Sequence, residues 1–146
     1  MARPRYETAN DRLNEQGFAS LIADRFGAAV HKLPVSYAVD YLVLPRRGGR
    51  VWVEYKRRRH TYGTYPDVVL SALKWWHGTS LATQTGAKFV FVVQWDDSIG
   101  YVQYDPQQPW IPELKWGGRT KATRDLADVE PVFHLPIKRF VKLQGA

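Results

Sequence analysis

The sequence predicts an α/β fold, a mixed β-sheet flanked by helices, in a single domain spanning residues 1–146. Three observations predict it. Apolar residues recur at helical spacing near the amino terminus and again after residue 66, so helices fall on either side of strand-like segments. Between them, two runs of β-branched, aromatic and aliphatic residues, 37–44 and 51–57, are separated only by the Pro, Arg and Gly residues of 45–49, which is a hairpin signal. Residues 87–95, AKFVFVVQW, are nearly continuously apolar, as in a strand buried on both faces. Helices alternating with strands place the chain among α/β rather than all-β architectures.

The elements follow in order. Over 6–26, Phe18, Leu21, Ile22 and Phe26 share one helical face, and Gly27 can close the helix. Glu7, Asp11 and Glu15 project to that same side, so the helix carries acids towards the core; in its first turn Glu7 and Asp11 also complement the helix dipole. Residues 28–34 form a short strand limited by Pro34. After the hairpin, 58–65 (RRHTYGTY) is a loop around Gly63, whose Tyr62 and Tyr65 either pack it down or stack on bases. The second helix is expected over 66–85, with Pro66 at its start and Gly86 past its end. Its Val69, Leu70, Leu73, Trp76 and Leu81 cover a sheet face, while Ser71 and Lys74 lie one turn apart.

The apolar strand 87–95 belongs in the middle of the sheet, turns at 96–100, and returns at 101–104. Asp96 and Asp97 read as turn formers rather than a metal pair. Residues 105–130 are expected to be a loop or arm within the domain, because Pro and Gly are dense and no periodicity survives. Trp110 and Trp116 lie in it, and Lys115, Arg119, Lys121 and Arg124 make a second basic cluster. Residues 132–135 are expected to be a last strand.

The hairpin holds the chemistry. With its turn centred on Arg47, Asp40 lies opposite Glu54, and Val39, Tyr41 and Val43 lie opposite Tyr55, Val53 and Val51, giving one wholly apolar face. A slip of one residue would drive the acids into that layer, so burial specifies the register. Glu54 and Lys56 then project to the same side as Asp40. Carboxylates gathered this way are costly unless their charge is compensated, and a hard divalent cation does so with few protein oxygens. The chemistry implied is metal-assisted phosphodiester hydrolysis.

Composition bounds the rest. The net charge is +7, which fits a polyanionic partner, and Arg46, Arg47, Arg50, Arg57, Arg58 and Arg59 all fall on or beside the acidic hairpin. There are no cysteines, and the four histidines show no ligand spacing, which argues against a transition-metal site. No apolar run is long enough for a membrane span and the start lacks a secretory pattern, so a cytoplasmic protein is expected.

Asp40, a strand, a turn and then Glu54-Tyr55-Lys56 resemble the D…(D/E)-x-K signature of the PD-(D/E)XK nuclease superfamily, which includes restriction enzymes, Holliday-junction resolvases and phage nucleases. Val39 stands where the superfamily name puts Pro. The resemblance spans roughly the first hundred residues and implies a restriction-endonuclease-like αβββαβ core. It implies a Mg²⁺-dependent endonuclease, with Mn²⁺ as substitute, acting on duplex or branched DNA, in the host cytoplasm if viral, with a homodimer as the oligomer. It further implies metal ligation by Asp40, Glu54, the Tyr55 carbonyl oxygen and Glu7, with Glu15 as second choice, and Lys56 beside the attacking water. Arg57, Arg58, Arg59 and Arg47 would hold phosphates, and Lys74 would enter from the following helix. The competing reading is a nucleic-acid-binding or assembly protein that keeps the nuclease-like sheet without turnover.

Overall fold

The computed structural model describes residues 9–118 and 129–143. Its spine is β3 (Val51–Arg57), paired antiparallel with β2 (Tyr41–Leu44) on one side and parallel with β5 (Lys88–Gln94) on the other. β1 (Ala29–Lys32) extends the sheet beyond β2. Beyond β5 come β6 (Ile99–Tyr104) and the short β9 (Val141–Lys142), completing a six-stranded mixed sheet in the order β1-β2-β3-β5-β6-β9. Because the β3–β5 pair is parallel, the chain must cross over between them, and α2 (Ala72–Thr85) lies in that crossover.

The hairpin register is the one its apolar pattern requires: Tyr41 pairs with Val53, Leu42 with Trp52 and Val43 with Val51. Its turn runs through Gly48 and Gly49, whose φ of +90° and +88° only glycine adopts readily. Period-2 alternation then sorts side chains into two cores. Tyr41, Val43, Val53, Tyr55 and Val92 pack with Phe18 and Ile22 of α1 (Ala9–Phe26). On the opposite face Trp52, Phe89, Phe91 and Val93 pack with Trp75 and Ala82 of α2. The sheet is thus covered by one helix on each side. Trp75, 2% exposed, is ringed by Phe89, Tyr104, Trp110 and Phe133 with centroids 5.2–6.1 Å apart, mostly edge-on, each pair contributing about 0.5–1.5 kcal/mol beyond burial.

A second sheet, β4-β8-β7, was not expected. Residues 67–71, predicted as the first turn of the second helix, form β4 (Asp67–Ser71) and pair with β8 (Val129–Pro136). Their apolar residues satisfy either period, and the partner strand sixty residues downstream decides between them. Val68 and Leu70 are buried in strand alternation, so α2 begins only at Ala72. The expected loop or arm over 105–130 contains β7 (Glu113–Gly118), the other neighbour of β8. Within it Trp110 is folded onto the body against Trp75, with its indole N–H donating to the Gln103 carbonyl at 3.3 Å, whereas Trp116 is 75% exposed. The strand predicted over 37–44 begins only at Tyr41, since 35–40 form turns and bends; Val39 therefore leaves the expected apolar face and joins the core beneath α2.

Candidate functional site

Asp40 sits where the bend over 35–40 enters β2. Its amide N–H donates to the Val53 carbonyl at 3.0 Å, and its Oδ2 accepts from the Tyr55 amide N–H at 2.8 Å, so the carboxylate is clamped against the middle of β3. That bond fixes Asp40 beside Glu54, one residue away on the strand. Glu54 alternates with Val53 and Tyr55, which are buried under α1, and so faces the α2 side. It is 5% exposed, the one charged residue among the buried set of the described residues. Lys74, in the first turn of α2, reaches Glu54 Oε1 with its ammonium at 3.8 Å. Lys32, on β1, approaches Asp40 Oδ1 at 3.9 Å and also lies over the Tyr41 ring.

Lys56 completes the group on the same face of β3, two residues beyond Glu54. Surrounding protein and the Arg58 guanidinium hold its ammonium below the usual lysine pKa, with Lys74 adding to the effect and Glu54 and Asp40 opposing it. The side chain still reaches solvent, which screens part of that shift. Positions 40, 54, 56 and 74 are therefore close enough to act on one another electrostatically. Among the described residues no cluster of three or more acids or histidines forms, so the site offers Asp40 and Glu54 as its carboxylates. A hard divalent cation held this way would take few protein oxygens and keep the rest of its shell as water. The buried Glu54 beside the clamped Asp40 would fit such an ion, whose charge would join that of Lys74 in offsetting the cost of burying a carboxylate. Glu7 lies outside the described residues; Glu15 is in the amino-terminal half of α1.

The arginines do not act as one group. Arg57 points away from the acids: it pairs with Asp96 at 2.6 Å and donates to the Gln94 carbonyl at 3.1 Å and to that of Arg58. That engagement arises because odd and even positions of β3 face opposite ways. Arg58, on the Lys56 side, donates to the Val69 carbonyl of β4 at 2.7 Å, and burial lowers its pKa. Arg59 is exposed, as is Arg47 in the hairpin turn at the far end of β3. Asp96 and Asp97 are structural, as read from sequence: Asp97 accepts from the Tyr62 amide at 2.8 Å, which holds its carboxyl below the usual range. Tyr62 packs edge-on against Trp95 rather than offering a free stacking face.

Sequence reasoning missed Lys32 and the wall formed by Asp67 and His134, whose Nδ1 lies 3.6 Å from Asp67 Oδ2. No local pattern marks either, because each is brought in by strand pairing across the fold.

Both the sequence and the fold have counterparts among known proteins. The family described as "Phage putative PDDEXK endonuclease" matches over residues 1–143. No curated protein matches. Among solved structures, the fold is similar to that of Hjc from Archaeoglobus fulgidus, a Holliday junction resolvase, at 14% identity and a TM-score of 0.61, covering 92% of this chain and 93% of that one. SSO0001 aligns over 68% of this chain and 51% of its own, at 15% identity and a TM-score of 0.42.

Proposed function

We propose, from the premise that this chain belongs to the phage PDDEXK endonuclease family, that it hydrolyses phosphodiester bonds of DNA with Mg²⁺ at Asp40 and Glu54. The observation that carries the site assignment is the convergence of Asp40, the 5% exposed Glu54 and Lys56, whose ammonium feels both carboxylates. Asp40, Glu54 and the Tyr55 carbonyl oxygen would hold the ion, with Glu7 contributing from the amino-terminal segment. A divalent cation there supplies Lewis-acid stabilisation of charge on the phosphate oxygens.

The chain's own groups do the positioning. The Tyr55 amide fixes the orientation of Asp40, and Lys74 offsets the charge of Glu54 from the helix side. Lys56 orients the attacking water and steadies the negative charge that grows on the phosphate as the water oxygen bonds to phosphorus and the P–O bond to the leaving sugar breaks. Exposed Arg59 and Arg47 hold the backbone to either side. A homodimer and action in the host cytoplasm belong to the same reading, the first checked by sedimentation of the full chain.

The test is cleavage of labelled duplex, single-stranded and branched DNA with Mg²⁺ or Mn²⁺. Glu54→Ala and Lys56→Ala are expected to cut slower by at least about 10²-fold, the usual cost of removing one transition-state-stabilising group. Wild-type protein that binds these substrates and cuts none of them would establish the alternative, a binding or assembly protein on the same fold.

A further inference from the structure

We propose that the cleft beyond Lys56, lined by Arg58, His60, Tyr65, Asp67, Val69 and His134, holds an unpaired nucleotide of the DNA strand, with its phosphate at Arg58 and its base against Tyr65. The proposal rests on the nuclease reading above for the identity of the polymer, and it goes further in naming the kind of substrate: DNA that presents an unpaired nucleotide beside the cut.

Glu54 and Lys56 alternate along one face of β3 and Arg58 follows just past its end, so the cleft begins where the carboxylate and lysine row ends. A strand whose scissile phosphate lies at Asp40, Glu54 and Lys56 therefore runs next into this cleft. At about 410 Å³ the cleft falls in the range of about 300–1,000 Å³ typical of small-molecule sites, large enough for a nucleotide and far too large for an ion.

Its lining suits a nucleotide chemically. Arg58 is held by the Val69 carbonyl at 2.7 Å, which spends one donor of its guanidinium and leaves others for a phosphate. Tyr65 is 57% exposed and meets His60 edge-on at 4.9 Å, an arrangement that props the tyrosine ring while leaving ring surface for stacking. The one acid in the wall, Asp67, would oppose a phosphate, and His134 lies 3.6 Å from its carboxylate to offset it when protonated. A base stacked and paired inside a duplex has no free face to give such a cleft, whereas an unpaired base does.

The experiment is fluorescence anisotropy of the full chain with a short labelled single strand and with the same sequence as a closed duplex, in EDTA so that nothing is cut. Tyr65→Ala is expected to weaken single-strand binding about tenfold and duplex binding less than about twofold, while Tyr65→Phe keeps wild-type affinity for both. Equal weakening of the two substrates, or unchanged single-strand affinity, overturns the cleft assignment. Failure of the nuclease reading looks different: wild type would cut nothing with Mg²⁺, yet the selective single-strand loss in Tyr65→Ala would persist and support the cleft. Since Tyr65 is exposed, its replacement leaves the fold intact, and the unchanged thermal midpoint of each variant verifies this.

Discussion

At Lys56 two carboxylates, a guanidinium and a second ammonium act on one charge, and burial with Arg58 outweighs Glu54 and Asp40. The sign has kinetic consequences. A lysine whose folded pKa lies below its ordinary 10.5 loses its proton at lower pH than a free lysine, so a reaction needing the ammonium slows as pH rises through that lowered value. The cleavage rate at saturating metal is thus expected to fall on an alkaline limb below 10.5, and Lys56→Arg, which stays charged, to move that limb upward even at reduced rate. A pH profile of single-turnover cleavage checks both. The same sign means that protonated Lys56 detracts from folding stability at neutral pH, a cost that solvent at the side chain reduces and that fades above the lowered pKa.

On the scale of the element, β3 and α2 form the working pair: the strand carries Glu54 and Lys56, and the helix brings Lys74 to Glu54. The helix can lie this close to the sheet because Gly78 faces Phe89. A Cβ built on Gly78 would stand 2.3 Å from the Phe89 ring, and Phe89, fully buried, has nowhere to move. Gly78→Ala should therefore destabilise by about 1–3 kcal/mol despite the better helix propensity of alanine, read as a lower urea midpoint with unchanged slope. Because the displaced helix carries Lys74, weakened cleavage should accompany it. The helix itself was half legible in sequence. Its Gly86 terminus, with φ of +65°, stands where the residue pattern put it, whereas its start was lost to β4, since Val68 and Leu70 fit a strand as well as a helix and only β8 offered them a ladder.

For the whole molecule the net charge of +7 matters through where its exposed part lies. Arg47 and Arg50 are exposed at one end of β3 and Arg59 at the other, while Arg57 is consumed by Asp96 and Gln94. DNA affinity should fall linearly in log–log coordinates with salt, each phosphate contact contributing a slope of about −0.9 on duplex. Arg59→Ala should reduce the slope by about one contact, and Arg57→Ala should leave it unchanged but cost about 1.5–3 kcal/mol of stability, the worth of hydrogen bonds made by a charged group. Equilibrium binding across a salt series, with urea unfolding of the same variants, separates the two arginines.

The sequence by itself determined the hairpin register, the face shared by Glu54 and Lys56 and the central position of β5, because each follows from period-2 alternation or a continuous apolar run over a few residues. Only the tertiary structure decided that Lys74 and Lys32 meet the carboxylates, that Arg57 is spent on Asp96, that 67–71 is a strand, and that Arg58, Tyr65 and His134 wall one cleft. The physical reason is range. Local periodicity fixes which way a side chain points, but what it meets there depends on segments brought in from far along the chain, and neither the composition nor the spacing of either segment carries that pairing.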